Sequence, residues 1–566
     1  MRTVLFKLPV LLLAIILSTG ARAQDMSMEG TINPVSADDA TVVGGVLRTQ
    51  VLRDTLVRNP ETGQMEKLSV VTDFVDVNVE DLGDDPEEAL SRAKAVHRAK
   101  VRRVSASDEM TYGDYYTSVA FYLYTFNYPS IDKHGNRIIL SSLMAFPYFT
   151  QSNWDNGYRF NNVIIGCHCT ITSNMECPSD YPNGGFFKSN VNMMQYYASW
   201  GKGAFRKEQD DPAYYNILIM PDYEGYGVTK TRPHPYLYQE LTARQVIDGV
   251  RYGLALFKAG KFAKKDKYSQ EWAKQYPYCM RYGKFIPIGA SQGGSVAMAV
   301  HRYIEQNGLE SEMPLAGSVC CDGPYDPVAT LKYYMKEDKD AGHNAEELTM
   351  PVAIALILKG MLDTNPLMIG HKREEYFSED FLSTNILQII EDKQNPSKEM
   401  TTEDINDHLV KLYKKGKGED KEYYRKLLTK DGRANMKEVL TDTAYNYFLK
   451  LAKDSISAEA PEGRGLMKDL HRALESNNLT KRWQPQKPIC LYHSTKDTVV
   501  PYVNFESAKA AFSGITTLYL DDTDKKDHIK ACTNFMFAAL STSPDIKFIR
   551  TLFGWGEEKD RYTANK

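Results

Sequence analysis

An α/β fold with a mostly parallel central sheet is what this sequence predicts, on three observations. Short apolar runs without alternation recur along the chain: "NVIIG", "NILIMPD", "KFIPIGA", "LAGSVCCDG" and "PICLYHS". Such runs suit strands buried on both faces of a sheet. Helical patterns lie between several of them, among them "TARQVIDGVRYGLALFKAG" and "SVAMAVHRYIEQNG", the latter ended by Gly308. Strand, loop and helix in alternation is the signature of the α/β class.

The elements follow in order. The chain opens on "MRTVLFKLPVLLLAIILSTGARA", with basic Arg2 and Lys7, an apolar run from Leu8 to Leu17, and the small-x-small triplet Ala21-Arg22-Ala23. That pattern predicts a cleavable signal peptide over residues 1–23, and the run falls short of the ~20 residues that span a bilayer. A secreted or periplasmic protein is expected, and Gln24 in place of cysteine argues against a lipid anchor. Residues 24–105 read as a polar extension packed on the core, with one helix whose start is marked by Asp85 as cap and Pro86 in the first turn. From 106 the strand rhythm begins. "SVAFYLYTFNYP" and "NRIILSSLMAFP" flank "SIDKHG", a hairpin with Gly135 in its turn. The first part of the core runs to 323. From 324 to 486 the pattern turns helical and rich in lysine and glutamate, a cap inserted at strand ends, and the core resumes over 487–566. The apolar stretch from Pro351 to Leu362 is expected to line a pocket there, so that Ile354→Asp would depress turnover more than soluble yield.

The 566 residues have ordinary globular composition, 42% hydrophobic and 25% charged, with a formal net charge of -4. That balance offers no basic field for nucleic acid. Beyond the first residues no stretch looks transmembrane. The eight cysteines are Cys167, Cys169, Cys177, Cys279, Cys320, Cys321, Cys490 and Cys532. "CHCTITSNMEC", with His168, lacks a paired C-x2-C spacing, so one local disulfide is expected there rather than zinc. Cys320 and Cys321 read as buried thiols at a strand end.

The chemistry centres on Ser291 in "KFIPIGASQGGSVAMAV". G-x-S-x-G arises by chance about once in five chains of this length, so context decides. Here the context is strand, serine, helix, which is the setting of a nucleophile elbow. A phosphate loop would need G-x-x-x-x-G-K-[ST] and a dinucleotide turn G-x-G-x-x-G, and neither is present here. A serine hydroxyl needs a base to take its proton and an acid to orient that base. On this fold the chain order is serine, acid, histidine. Asp497 follows the strand "PICLYHS", and His528 follows "TTLYLDD" at the start of a helix. Asp521, Asp522, Asp524 and Asp527 crowd the histidine loop but read as solvated turn residues, and His493 as a neighbour of the acid. One oxyanion donor is expected from the amide of Gln292, the other from Thr170 or Cys169 after "NVIIG", with His168 shaping the turn.

"GASQGGSVA", "PDYEGYGVTKTRPHPY", "ARQVIDGVRYGLAL" and "HSTKDTVVP…DHIKA" together resemble α/β-hydrolases of the secretory lipase type, the fungal lipase A-like enzymes and their bacterial secreted relatives. The resemblance spans roughly residue 110 to the C-terminus. It implies the α/β-hydrolase fold, a triad of Ser291, Asp497 and His528, ester hydrolysis, no metal or organic cofactor, and a helical cap over an acyl pocket. "GCHCTIT" departs from the family's usual His-Gly turn, with Cys169 where glycine is expected. Tyr223 and Tyr226 of "PDYEGYG" are expected to pack beneath the site rather than touch substrate. The function expected is therefore a serine carboxylic ester hydrolase acting on a small-molecule, lipid or carbohydrate ester. A serine peptidase of the same fold usually carries a propeller for which residues 24–105 are too few, and a non-catalytic binding protein would not require three ordered partners.

Overall fold

The apolar runs become strands of one ten-stranded sheet in the computed structural model, which describes residues 35–538 apart from 59–64, 101–119, 157, 181–213, 265, 275–282, 394–397, 416–423, 513–517 and 523–526. In chain order the first strands are β1 (Thr41–Arg58), β2 (Met65–Asn78), β3 (Phe121–Ile131), β4 (Arg137–Pro147), β5 (Arg159–Cys167) and β6 (Tyr214–Pro221). There follow β7 (Phe285–Ala290), β8 (Ser318–Cys321), the short β9 (Glu347–Leu348) and β10 (Ala434–Asn435), then β11 (Ile489–Ser494) and β12 (Leu518–Asp522). Across the sheet the order is β12-β11-β8-β7-β5-β6-β4-β3-β1-β2. From β12 to β6 neighbouring strands run parallel, and from β6 to β2 they alternate. The parallel half is the half the unbroken apolar runs mark.

The hairpin of β3 and β4 closes through Asp132, whose carboxylate accepts from the amides of His134 at 2.9 Å and Asn136 at 3.0 Å. Gly135 takes the left-handed conformation that the turn needs, φ +79°. In the described part of the segment 24–105, read as an extension packed on the core, β1 pairs with β3 and β2 with the outer side of β1. Its expected helix is present as Pro86–Lys100, with the Asp85 carboxylate accepting from the amide of Glu88. The signal segment 1–23 lies outside the described residues. No helix among those described is long and apolar enough to cross a membrane.

Alternating side chains of β5 divide the core. Val163, Ile165 and Cys167 join the larger apolar cluster, under the helices Gln239–Lys258 and Gln292–Gln306, while Ile164 joins a smaller cluster on the opposite face. A third cluster belongs to the helical stretch between Val328 and Leu474, to which Tyr236 and Leu237 of the core also contribute. This layer has a core of its own, built on the apolar helix Pro351–Thr364 and held together by Leu358, Met361, Phe377, Ile405 and Leu470. Ile354 belongs to that core and is fully buried in it.

Candidate active site

Ser291 stands between β7 and the helix Gln292–Gln306 with φ 57° and ψ -127°, a conformation that non-glycine residues rarely adopt. Tight packing imposes it. A Cβ on Gly293 would sit 2.0 Å from the carbonyl oxygen of Cys167, and one on Gly289 would sit 2.3 Å from the carbonyl oxygen of Gly293. Strand and helix therefore approach closer than any side chain permits. Gly293→Ala should cost about 1–3 kcal/mol through the displaced backbone. Chemical denaturation would read that loss, and an unchanged midpoint would contradict the packing described.

The serine side chain makes no capping bond to its own helix. It faces His528, whose Nε2 lies 2.9 Å from Ser291 Oγ, and His528 Nδ1 lies 2.5 Å from Asp497 Oδ2. Asp497 is fixed in turn: its Oδ1 accepts from the amides of Val499 and Val500, each at 2.8 Å. With a carboxylate on Nδ1, the tautomer that donates there leaves the Nε2 lone pair for the hydroxyl. Burial works against a charge on His528, but the Asp497 carboxylate and the Cys532 thiol outweigh it and hold its pKa well above the usual imidazole range. The three residues read from the sequence thus come together from the ends of β7, β11 and β12. His493 Nε2 is turned to the carbonyl oxygen of Val500 at 2.8 Å, and exposed Asp527 pairs with Lys530. The side chains of Asp521 and Asp522, and all of Asp524, are outside the described residues.

The loop after β5 brings Cys169 and Thr170 to the wall of the same cavity as Ser291 and His528. His168 anchors it, with Nδ1 2.7 Å from the carbonyl oxygen of Cys169 and Nε2 2.9 Å from that of Asp222. Burial pushes the His168 pKa down to about 4 although both carbonyls favour the proton. Gln292, the other expected donor, opens the helix, and its side chain is held by His234 at 2.7 Å. His234 Nδ1 donates to the carbonyl oxygen of Glu224 at 2.8 Å, so its Nε2 accepts from the Gln292 amide group. Burial, helped by nearby Lys393, lowers the His234 pKa to about 3, which keeps Nε2 an acceptor. The role of His234 is one that sequence reasoning missed, although "TRPHPY" belonged to a quoted motif. Tyr223 and Tyr226 pack beneath the loop as expected: Tyr223 stacks on His168 at 3.9 Å between centroids, and Tyr226 donates to the carbonyl of Ile171.

The helical layer grips this loop from above. Glu399 accepts from the Ser173 hydroxyl at 2.7 Å and the Met175 amide at 3.3 Å, and Thr172 donates to the carbonyl of Met400 at 2.6 Å. Lys393, buried over the Tyr226 ring at 3.9 Å, donates to the carbonyl of Gly225 at 2.9 Å. Its burial, with Lys359 nearby, brings its pKa down to about 7.

A cavity of about 970 Å³ opens over Ser291. Its wall includes apolar Leu237, Met350, Val352, Ala353 and Ile357 and polar Asn406, Asp431 and Arg433. Of the stretch Pro351–Leu362, then, Val352, Ala353 and Ile357 face the cavity, whereas Ile354 faces the core of the helical layer. The expectation for Ile354→Asp is corrected accordingly. A carboxylate there would be buried without a partner, and loss of soluble protein is the expected result. Ala353→Phe, by contrast, should narrow the cavity and lower turnover of long relative to short acyl esters by roughly tenfold, measured as the ratio of kcat/KM for decanoate and butyrate.

The expected local disulfide is also corrected. Cys167, Cys169 and Cys177 are all free, as are Cys320, Cys321, Cys490 and Cys532, while Cys279 lies outside the described residues. Cys167 points into the larger core cluster, whereas Cys177 packs in the cluster on the other face of the sheet, so the sheet itself separates those two. Among the described residues two groups could hold a metal ion, Cys321 with Asp322 and Cys532, and Asp322 with His493 and Asp497.

Comparison with known proteins bears on the fold. No protein-family model matches the chain, and no curated protein matches it in sequence. Among solved structures, the rice cell wall degrading esterase LipA from Xanthomonas oryzae superposes with a TM-score of 0.52 at 17% identity, over 75% of this chain and 91% of LipA. The fold is that of the α/β-hydrolases. A Legionella pneumophila protein assigned as a hydrolase superposes on this chain at a TM-score of 0.51 and 16% identity, over 77% of this chain and 90% of its own. Candida antarctica lipase A in its closed state reaches a TM-score of 0.45 at 13% identity, over 78% and 79% of the two chains, too loose to weigh. In this chain, strands β7, β11 and β12 end at one edge of the sheet, where Ser291, Asp497 and His528 meet.

Proposed function

We propose that this chain is a secreted serine hydrolase that cleaves carboxylic esters, of the esterase and lipase type. The observation that carries the reading is the pair of hydrogen bonds linking Ser291 to His528 and His528 to Asp497, set at the wall of a cavity partly lined by apolar side chains. The leader-like start of the sequence supports export.

On this reading Ser291 Oγ attacks the ester carbonyl carbon as His528 Nε2 takes its proton. Negative charge gathers on the former carbonyl oxygen, where the amide of Gln292 and that of Cys169 or Thr170 stabilise it. The intermediate collapses, His528 gives its proton to the leaving alcohol, and the acyl group stays on Ser291. Water, deprotonated by His528, then attacks the acyl-enzyme, and Ser291 leaves with the proton restored. Asp497 holds the imidazole in one tautomer and stabilises its transient charge. No metal or organic cofactor takes part in this cycle. The acyl chain lies beside Ala353 and Ile357, and the polar Asn406, Asp431 and Arg433 at the same cavity wall suit a hydroxylated alcohol, in keeping with LipA's description as a cell wall degrading esterase.

The test is a fluorophosphonate probe followed by a panel of p-nitrophenyl and acylated-sugar esters graded by chain length. Labelling at Ser291 with ester turnover is the expected result. Absence of labelling would favour a binding protein, and peptide amides cleaved as fast as esters would favour a peptidase.

A further inference from the structure

One stretch of the cavity wall over Ser291 carries a charge that ester hydrolysis does not use. Glu176 belongs to that wall, although only 6% of the residue is exposed. It closes the short turn Asn174–Glu176, where its Oε2 accepts from the amides of Thr172 at 3.3 Å and Ser173 at 3.2 Å. Its Oε1 has no hydrogen-bond partner among the described residues and is not sealed in the core, so it opens on the cavity. Burial drives the Glu176 pKa up to about 7 against the pull of the two amides, and Asp404 and Glu399 add to the rise.

The wall continues into the helical layer. Thr172 donates to the carbonyl of Met400 at 2.6 Å, and Thr401, Thr402 and Glu403 follow Met400 along the lining. The helix Thr402–Lys415 answers its own positive end with Glu403 and Asp404 in its first turn. The charges of the lining do not balance. Lys530 is held by Asp527 at 2.9 Å and Arg433 by Glu347 at 2.8 Å. Glu176, Glu403 and Asp431 make no ion pair among the described residues. Glu403 and Asp431 are exposed, where water and salt screen them. Glu176 is not. A buried carboxylate without a counter-ion is costly, and a ligand that brings one recovers that cost. A hydroxyl would fill a lone pair of Oε1, whereas a cation also offsets the charge.

We propose that Glu176 determines specificity, and that the preferred substrate is an ester whose alcohol part carries a positively charged amine seated against Glu176 Oε1. The acyl chain keeps its place beside Ala353 and Ile357, so the charge belongs on the alcohol. Anionic alcohols are turned away by the same carboxylate. Turnover of such an ester rests on the hydrolase reading, whereas its binding does not.

Butyrylcholine and 3,3-dimethylbutyl butyrate share one shape and differ by one positive charge. At pH 8, above the pKa of Glu176, wild-type protein should favour the choline ester at least about tenfold in kcat/KM, through KM. Glu176→Gln keeps an oxygen for the amides of Thr172 and Ser173 and loses the charge. The ratio of kcat/KM for the two esters should therefore fall to about one, whereas Glu403→Gln should shift it less than about twofold. Ser291→Ala protein should bind butyrylcholine about tenfold more tightly than the neutral ester by calorimetry, a readout that needs neither turnover nor a Glu176 variant. Equal affinity there, equal kcat/KM in an active wild-type protein, a ratio unchanged in folded Glu176→Gln, or a ratio lost in Glu403→Gln instead would each overturn the assignment. Tighter binding of butyrylcholine by Ser291→Ala, with no hydrolysis of either ester by wild type, would overturn the hydrolase reading and leave Glu176 in its role.

Discussion

Ser291→Ala protein is expected to hydrolyse short p-nitrophenyl esters at least ~10⁴-fold more slowly than wild type, with its fold intact. The size of the effect follows from the position of the hydroxyl. It is the one group held at 2.9 Å from His528 Nε2 at the cavity wall, and the conformation of Ser291 leaves its side chain free of the helix it begins. Alanine carries no oxygen to form the acyl-enzyme, and residual turnover would come from polarisation of the carbonyl alone. Steady-state rates on purified protein, with circular dichroism as the folding control, make the measurement. Equal rates in the two proteins would remove Ser291 from the chemistry.

Asp497→Asn should lower kcat by roughly 10⁴-fold, because an amide can present its NH₂ to Nδ1 and turn the tautomer around. Asp497 receives two backbone amides on Oδ1, and an asparagine oxygen placed there would direct its NH₂ at His528. The same variant tests the electrostatics. Burial opposes the His528 charge, and the Asp497 carboxylate more than offsets it, so the pKa is raised. The base works only when deprotonated. Wild-type kcat/KM should therefore fall as pH drops through a limb above the ordinary imidazole value of about 6.5. In Asp497→Asn the carboxylate's contribution vanishes and that limb should move to lower pH. A limb that stays in place would show that another group sets it.

Much of this arrangement was legible because the residues concerned obey local rules. "KFIPIGASQGGSVAMAV" carries a buried strand, a strained serine and a helix in one run, and glycines at 289 and 293 are needed wherever two backbones approach this closely. Asp497 and His528 could be named because each follows its own apolar run. Other features have no local signature. β1 and β2 sit at the end of the sheet with charged residues interspersed, and buried Arg48 is met at 2.7 Å by Asp76 on the paired strand. That pairing joins residues far apart in the chain, and no period in either strand announces it. The cysteines misled for the same reason. Cys167 and Cys177 are close in sequence but separated by the sheet, whereas Cys321 and Cys532 are distant in sequence and near in space. For Pro351–Thr364, an all-round apolar pattern signalled burial but could not say which face meets the cavity and which the core.

The grip of Glu399 and Met400 on the loop that carries Cys169 and Thr170 has a consequence for engineering. Trimming the inserted helices to make a smaller catalyst would strip that loop of partners holding its backbone, and the amides meant for the oxyanion would lose their aim. The roof and the floor of the pocket are one construction, so a minimal variant would have to keep Glu399 and Met400 or replace their contacts by design.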